Sequence, residues 1–384
     1  MTNRKNPTQL LPMLATTVFI GTFLALWLGI PHTLRSWETN DLYLETADYL
    51  RDAKSMPHPI LQLATDYIRQ FFHTPAIGAA MLSAVPTVTF LLLSFVVRNR
   101  IVRAVTAALL VGGTLAWVCR PQVRWKETMN HLEQAAENRR WKEVLDIVTP
   151  KMASEHPELM PYAMLALAIN NELTDKMLTY PIRSIKDFDT QGNPCHEFYF
   201  FKMVLYDCIG CPNEAIHCNF QAAAGTTYGT TFGTLRRMVR FCEAAGYQTL
   251  ADKYREILSH STMHRSWAPK RTAVADTLQT NQSGHIPVIT KDFGFNLALF
   301  MDLGIRTPQV CNYFLCAMLA RRDLKTFATT LPRLRPMLPQ PLPPLYQEAL
   351  QLYAGQHPGS DLSEYGIQPG SMVSVGYRNY YENI

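Results

Sequence analysis

The strongest constraint on the fold is an uncharged, apolar run near the beginning of the chain. From Leu10 to Ile30 the sequence is LLPMLATTVFIGTFLALWLGI. As a helix that rises about 1.5 Å per residue, this run is long enough to cross a hydrocarbon core of about 30 Å. A cleaved signal peptide has a shorter apolar core and a small-x-small site after it, whereas Pro31-His32-Thr33 follows here. We therefore predict an uncleaved membrane-spanning helix over residues 10–30.

Two further apolar runs, at 75–97 and 101–119, predict a second and a third span. Arg103 interrupts the third run near its start, where a long side chain can extend to the membrane surface. The two runs are joined only by Arg98-Asn99-Arg100, which predicts a tight hairpin. The chain carries a net charge of +5, but its basic residues are scattered and several lie beside the apolar runs. This placement indicates membrane topology and argues against a nucleic-acid partner.

The basic residues also predict an orientation, because Lys and Arg in short loops stay on the cytoplasmic side. Those near the first span and the hairpin are Arg4, Lys5, Arg98, Arg100 and Arg103. The loop from Pro31 to Thr74 has an acidic balance, as expected of the far side, whereas Arg120, Arg124 and Lys126 after the third run favour the opposite orientation. We predict a multi-pass protein of a bacterial inner membrane, with a cytoplasmic N-terminus and a periplasmic C-terminal domain.

Residues 60–72 predict an amphipathic helix between the first two spans. Apolar residues recur at helical spacing, and the residues opposite them are Gln62, Thr65, Asp66, Arg69 and Gln70. Such a helix can lie at the membrane surface with its apolar face in the lipid. Packing of that face against the spans is an equally good interpretation at this point.

The remainder of the chain predicts helix hairpins. Strand patterns are scarce after Pro121, and amphipathic stretches alternate with short turns at Asn138-Arg139-Arg140, Asn170-Asn171, Gly210-Cys211-Pro212, Gly246 and Arg321-Arg322-Asp323. Repeats of about 30 to 40 residues are typical of tetratricopeptide-type solenoids. The predicted fold class is therefore all-α, with three N-terminal transmembrane helices followed by a tetratricopeptide-like α-solenoid. The predicted divisions are a membrane domain at 1–120, a helical-repeat domain at 121–356 with an inserted loop at 268–290, and an irregular tail at 357–384.

One stretch is rich in potential soft metal ligands: Cys195, His196, Cys208, Cys211, His217 and Cys218. A structural zinc site usually has two well-formed ligand pairs, and only one Cys-x-x-Cys, at Cys208 and Cys211, is present. Buried packing is the favoured interpretation, with a disulfide and a metal site as alternatives. No residue is assigned as catalytic, cofactor-binding or metal-ligating, and no cofactor is predicted.

Two weaker features have structural interpretations. Gly225–Thr230 is glycine-rich but lacks the lysine of a phosphate-binding loop, so it predicts an interhelical loop. His260, His264 and Arg265 follow a helix, where positive groups favour the negative end of the helix dipole. They predict a solvated helix end.

Several stretches resemble an uncharacterised family of Bacteroidota integral membrane proteins, a domain of unknown function with a tetratricopeptide-like C-terminal region. These are Gln70-Phe71-Phe72-His73-Thr74-Pro75-Ala76-Ile77-Gly78, Leu165-Ala166-Leu167-Ala168, Leu173-Thr174-Asp175-Lys176-Met177, Asn213-Glu214-Ala215, Trp267-Ala268 and Tyr346-Gln347-Glu348-Ala349. The resemblance implies a bacterial inner membrane and implies no activity.

Three functions follow as hypotheses. The first is a membrane-anchored scaffold or adaptor whose helical repeats bind a protein or peptide partner at the periplasmic face, with the lipid bilayer as its other contact. The second is an accessory subunit of an envelope transport, secretion or enzyme complex, with Gly21, Gly29, Gly78 and Gly112-Gly113 permitting close contact between spans. The third is an enzyme that depends on the Cys and His residues. Since no motif of an established catalytic site is present, it is the least favoured.

Overall fold

The computed structural model describes residues 10–97, 99–190, 196–266, 307–360, 362–367 and 373–383, and these residues form helices and no strand. The all-α prediction is confirmed for this part of the chain. The predicted loop at 268–290 lies outside the described residues. The chain divides into two compact units, and the first contains the described residues of Met1–Gln134, Thr226–Val239 and Thr249–Arg271. The second contains those of Ala135–Gly225, Arg240–Gln248 and Thr272–Ile384, so this division differs from the predicted one at residue 120.

The helices of the first part of the chain are α1 Leu10–Gly29, α2 Pro31–Thr39, α3 Ala47–Lys54, α4 Pro59–Arg69, α5 Pro75–Val96, α6 Arg100–Val118 and α7 Pro121–Glu137, with a 3-10 helix at Gln70–His73. Three of them, α1, α5 and α6, are long and apolar enough to cross a membrane. The three predicted spans are therefore confirmed as helices to within one residue at each end. The packed interior of this bundle includes Val18, Phe90 and Ala107.

Arg103 joins the two helices of the hairpin. Its guanidinium donates from Nε to the carbonyl of Val97 at 2.7 Å and from Nη2 to the carbonyl of Ser94 at 2.6 Å. The last carbonyls of a helix have no partner within the helix. Arg103 therefore caps the end of α5 from the first turn of α6.

The first turn of α2 is fixed by α7. The carboxylate of Glu127 accepts the backbone N–H groups of His32 and Thr33 at 2.9 and 2.8 Å. These are donors that a helix N-terminus leaves without a partner, and a negative charge is favourable there. Gln134 adds a bond from its Nε2 to the carbonyl of His32 at 2.8 Å. The start of α2, directly after the first span, is thus held in one orientation.

The remaining helices are α8 Trp141–Ile147, α9 Pro150–Glu155, α10 Met160–Ile169, α11 Leu173–Lys176, α12 His196–Cys208, α13 Pro212–Ala223, α14 Phe232–Ala244, α15 Gln248–Ser259, α16 Pro308–Ala320, α17 Leu324–Leu334, α18 Pro344–Gln356 and α19 Tyr377–Glu382. In the second unit, α10 and α16 are buried on nearly all sides and pack against each other. They form the centre of its hydrophobic core.

Five turns of the second unit have the same backbone geometry. Each contains one residue in the left-handed region, and the next helix begins two residues later; these residues are Arg139, Asn171, Gly210, Gly246 and Arg322. At each turn the following N–H bonds a carbonyl five residues earlier, as from Arg140 to Ala135 and from Cys211 to Tyr206. This is the Schellman ending of a helix. All five predicted turns are confirmed, and the first four recur every 32 to 39 residues.

The C-terminal tail differs from the prediction, since it is not irregular throughout. Within 357–384 the described residues include α19, whose start is fixed by Glu348 of α18. The buried carboxylate of Glu348 accepts the N–H groups of Val375, Tyr377 and Arg378 at 2.8 to 3.1 Å. A glycine- and tyrosine-rich sequence gave no helical periodicity, and this tertiary contact supplies the order.

Candidate functional site

The most unusual group in the first unit is Glu38, a carboxylate with no exposure to solvent. It lies in the last turn of α2, nine residues after the end of α1. A carboxylate is rarely buried without a charged or hydrogen-bonding partner, because its desolvation is costly. The residues around Glu38 define the candidate site, which we call the Glu38 cluster: Glu38, His73, Arg236 and His264.

Arg236 of α14 forms a two-point contact with Glu38. Its Nη1 is 2.5 Å from Oε1 and its Nη2 is 3.2 Å from Oε2. A planar guanidinium matches the two oxygens of a carboxylate, which makes this geometry specific as well as strong.

Gly233 permits this approach of α14 to α2. A Cβ atom at Gly233 would lie 2.4 Å from Cγ2 of Thr39 and 2.9 Å from its carbonyl oxygen. Any side chain at this position would therefore move α14 away from α2 and lengthen the Arg236–Glu38 contact.

Two histidines complete the cluster. Nε2 of His264 is 2.9 Å from Oε1 of Glu38, although the ring N–H is not well aligned for a hydrogen bond, and Nδ1 of His73 is 3.7 Å from Oε2. Nδ1 of His264 lies 3.5 Å from Nη1 of Arg236. Because an arginine only donates, this contact favours the tautomer with its proton on Nε2, facing Glu38. His264 is buried, whereas the side chain of His73 is 41% exposed.

The electrostatics of the cluster keep Glu38 charged and His264 neutral. Burial raises the pKa of Glu38, but Arg236 and the two histidines outweigh it and hold that pKa well below its usual value. Burial lowers the pKa of His264, and Arg236 acts in the same direction. The cluster therefore contains one carboxylate neutralised by one guanidinium at neutral pH.

A second buried carboxylate, Asp66 of α4, is bonded through neutral donors. Its Oδ2 accepts the hydroxyls of Tyr49 and Tyr228, both at 2.8 Å, and its Oδ1 accepts Nε2 of Gln62 at 2.8 Å. Burial raises the pKa of Tyr228 to about 12 and that of Tyr49 further, so both phenols keep their protons at neutral pH.

Asp41 links this network to α14. Its Oδ2 is 3.1 Å from Nη1 of Arg69, and its backbone carbonyl accepts the N–H of Phe232 at 2.8 Å. Burial, together with the negative charge of Asp66, raises the pKa of Asp41 to about 6.

Together these groups hold separate segments of one unit in place. α2, the 3-10 helix, α14 and the turn after α15 each contribute one member of the Glu38 cluster. A carboxylate already paired with a guanidinium is a poor general base, and both ring nitrogens of the buried, neutral His264 face other members of the cluster. This geometry is that of a structural ion pair, which holds these segments together. No group of three His, Cys, Asp or Glu residues in the described part of the chain could hold a metal ion.

The cysteines singled out in the sequence are buried packing residues in the structure. Cys208 and Cys211 flank the turn between α12 and α13, and both are buried, free thiols, as is Cys218. Burial raises the pKa of Cys208 and of Cys218 to about 12 and that of Cys211 well above its usual value. Protonated thiols without access to solvent are poor nucleophiles. Cys195 lies outside the described residues.

The other two sequence features have different outcomes. The segment Gly225–Thr230 is a loop between α13 and α14, as predicted, and it supplies the Tyr228 hydroxyl to Asp66. The solvated helix end predicted for His260, His264 and Arg265 is wrong for His264, which is buried against Glu38 and the ring of Phe232. Arg265 is exposed and pairs with Glu45 at 2.9 Å.

Sequence reasoning missed Glu38, His73 and Arg236. The one available signal was in α14, where arginines alternate with the apolar residues Leu235, Met238 and Val239. An arginine so close to core positions needs a buried acidic partner. Nothing in the sequence indicated which acidic residue this was.

The model of a family of unknown function, DUF6057, matches residues 6–125 and 114–383. No curated protein and no solved structure matches the chain.

Proposed function

We propose that this chain, which belongs to the DUF6057 family of unknown function, is a membrane-anchored helical-repeat adaptor that binds a protein or peptide partner at the periplasmic face of a bacterial inner membrane. The observation that carries the proposal is the recurrence of one turn geometry at five positions of the second unit. Helix hairpins repeated in this way stack into tetratricopeptide-like solenoids, whose extended surfaces bind peptides and protein segments.

The distribution of side chains along the spans supports the orientation. Arg100 and Arg103 lie at the hairpin between α5 and α6, which favours the cytoplasm for that end, whereas Arg120 and Arg124 after α6 favour the reverse. Trp27 and Trp117 lie near the C-terminal ends of α1 and α6, which are the ends away from the hairpin. This placement is typical of an aromatic belt at the membrane–water boundary. The segments that follow these ends would then be periplasmic.

Site-specific photocrosslinking in intact membranes tests the adaptor hypothesis. A benzophenone amino acid at Phe220, an exposed position of α13, should yield a discrete protein adduct. The same group at Asp48, an exposed position of α3, is the control and should yield none. If exposed positions on α9, α13 and α17 all gave no protein adduct, the adaptor hypothesis would be wrong.

Orientation is tested separately. With the full chain fused at its C-terminus to alkaline phosphatase or to a green fluorescent protein, the periplasmic assignment expects phosphatase activity without fluorescence. The reverse result would place the second unit in the cytoplasm and would leave the adaptor hypothesis to be judged by crosslinking alone.

A second candidate function, an accessory subunit of an envelope complex, has one specific observation in its favour. Small residues recur at every fourth position on the exposed side of α6, at Ala104, Ala108, Gly112 and Ala116. A Cβ atom at Gly112 or Gly113 would meet nothing within 4 Å, whereas one at Gly21 or Gly29 would meet α6 within 3 Å. Gly21 and Gly29 thus serve packing within the bundle, and the stripe on α6 has the spacing at which membrane helices approach closely.

Copurification distinguishes this candidate. Ala108→Leu would abolish stoichiometric recovery of a membrane partner in mild detergent, while Val88→Leu on an exposed part of α5 would not. Recovery of a monodisperse single chain from wild-type membranes would exclude a stable subunit role.

The enzyme hypothesis is the weakest, because the Cys208 and Cys211 thiols are buried and have raised pKa values. It would require an activity that is lost in Cys208→Ser or Cys211→Ser.

A further inference from the structure

The helix α4 is packed with its polar side inward. Asp66 and the adjacent Gln70 are fully buried, whereas Ile60 is 84% exposed and Leu61 is 68% exposed. Tyr67 and Ile68 are exposed on the same side, one to two turns further along. In a helix at the surface of a water-soluble domain the apolar face is the one that is buried. The opposite arrangement in α4 leaves an apolar face exposed, and of its members Tyr67 also contacts the rings of Tyr43 and Phe71.

Hydrogen bonds fix this orientation. Rotating α4 to bury its apolar face would remove Asp66 from the hydroxyls of Tyr49 and Tyr228. It would also remove Oε1 of Gln70, the residue after α4, from the hydroxyl of Ser261 and the N–H of Met263 at 3.3 and 3.2 Å. A buried polar group without a partner is strongly unfavourable, so the inward polar face is determined by its contacts.

The end of α4 lies at the level where the three spans end. The 3-10 helix that follows places Phe72 in a core with Ile30 after α1, Ala79 near the start of α5 and Val118 at the end of α6. Gly78 permits this contact, since a Cβ atom there would be 2.9 Å from Cδ1 of Phe72. Only Thr74 separates the 3-10 helix from α5. The helix α4 is therefore followed almost directly by α5, which is apolar enough to cross a membrane, and its exposed face lies close to the end of that span.

We propose that the outer face of α4, formed by Ile60, Leu61, Ala64, Tyr67 and Ile68, lies in the bilayer at the boundary between headgroups and acyl chains. An interfacial helix buries its apolar face about 5–10 Å deep at this boundary. Tyr67 has the amphipathic ring that favours the same depth. The outer face of α4 therefore contacts lipid. Its inner, polar face holds the helix against the protein through Asp66 and its hydrogen-bonding partners.

Nitroxide accessibility in vesicles tests this assignment. The full chain would carry Cys119→Ser and Cys195→Ser, which remove the exposed thiol and the one outside the described residues; the six other cysteines are buried. One cysteine is then introduced as Leu61→Cys, as Ile68→Cys or, as the control, as Lys54→Cys at an exposed position of α3. Each is spin-labelled and reconstituted in phosphatidylcholine–phosphatidylglycerol vesicles. Incorporation of one label per chain shows that the buried thiols remain protected and that the fold is intact.

The expected result is a several-fold lower accessibility of positions 61 and 68 to the water-soluble relaxant nickel ethylenediaminediacetate than of position 54, together with a higher accessibility to oxygen. Equal nickel accessibility at all three positions would overturn the proposal, because the face would then be in water. Low accessibility to both relaxants at 61 and 68 would overturn it as well, because a protein surface, such as a second copy of the chain, would then cover the face.

Discussion

In the first unit, the helices α1, α4, α5 and α6 expose large apolar side chains. In the second unit, nearly all side chains of α10 and α16 are buried. The interiors differ accordingly. Tyr49, Asp66, Arg236 and Glu38 connect the segments of the first unit through hydrogen bonds and an ion pair. In a bilayer, apolar surface gains little from being buried against protein, so close packing and polar contacts determine how helices associate. Outside the spans the first unit also has a hydrophobic core, which includes Leu42, Phe232 and Leu258, and the second unit is centred on one as well.

The second unit also buries charge, at Asp207, which pairs with Arg139 and Arg240, and at Asp189. Nζ of Lys202 is 2.6 Å from Oδ2 of Asp189, and both side chains are buried within the core. Lys202 further lies 4.9 Å from the centre of the Phe198 ring. This pair lies within 13 residues of sequence, whereas Glu38 and His264 are separated by most of the chain. Loss of Glu38 should consequently disturb contacts between more distant segments than loss of Asp189.

The largest expected effect is that of Glu38→Ala. It leaves the guanidinium of Arg236 without its carboxylate in a buried setting, and breaking a buried pair costs about 3–5 kcal/mol. Thermal unfolding of the full chain in lipid nanodiscs measures the loss. Asp48→Ala, which removes an exposed pair with Arg51, is the control and should change little.

The pH dependence of the same variant has a defined sign. Because the pKa of Glu38 is lowered in the folded state, its contribution is present above the usual carboxyl pKa and is lost as the pH falls through the folded value. The difference between wild type and Glu38→Ala should be constant from about pH 5 to about pH 7. A difference that vanished already at about pH 6 would contradict the assigned pairing.

A comparison of Leu315→Ala with Leu109→Ala sets a buried leucine of the second unit against an exposed leucine of a membrane-spanning helix. Leu315 of α16 is fully buried, so its truncation should cost about 2–5 kcal/mol. Leu109 of α6 is 69% exposed and, in a bilayer, would contact lipid before and after truncation. Its truncation should therefore cost little in nanodiscs. Comparable losses at both positions would mean that the exposed side of α6 is covered by protein.

Glu214→Gln tests the cost of a buried acid in the second unit. Burial raises the pKa of Glu214 from 4.5 to about 7. The folded state thus retains a proton that the unfolded chain releases between these values, and wild-type stability falls as the pH rises through that window. The amide introduced by Glu214→Gln does not titrate, so the variant should be more stable than wild type at about pH 8, by about 3 kcal/mol at most, and no more stable at about pH 4.5.

Unfolding at the two pH values measures this crossover. Glu155→Gln, at an exposed position of α9, is the matched control and should show no such dependence. A Glu214 variant that tracked wild type at both pH values would show that the carboxyl is solvated in the folded chain.

The smallest expected effect is that of Gly29→Ala. A Cβ atom there would lie 2.3 Å from Cγ1 of Val118, so either the Val118 side chain or the spacing of α1 and α6 must change, at a cost of about 1–3 kcal/mol. Gly112→Ala on the open side of α6 is the control and should be neutral or slightly stabilising. Unfolding in the same nanodiscs compares them. A larger loss for Gly112→Ala would favour a partner helix on the exposed stripe.

Local patterns in the sequence determined the membrane-spanning helices and the turns of this protein. The spans follow from long uncharged runs, because a helix that satisfies its own backbone hydrogen bonds is stable in lipid whatever surrounds it. The five turns follow from short polar or glycine-containing breaks. In each of them one residue adopts the left-handed backbone conformation with which this type of helix ending closes. Both features depend on residues that are close together in sequence.

Only the tertiary structure decided which side of a helix is buried. The sequence divided α4 into an apolar and a polar face, and the usual expectation would bury the apolar one. Tyr228, Ser261 and Met263, distant in sequence, supply the partners that draw the polar face inward. Glu38 had no partner in its own neighbourhood, and only the approach of α14 at Gly233 brings Arg236 to it. Such contacts depend on the complementary geometry of remote segments, which periodicity and composition do not encode.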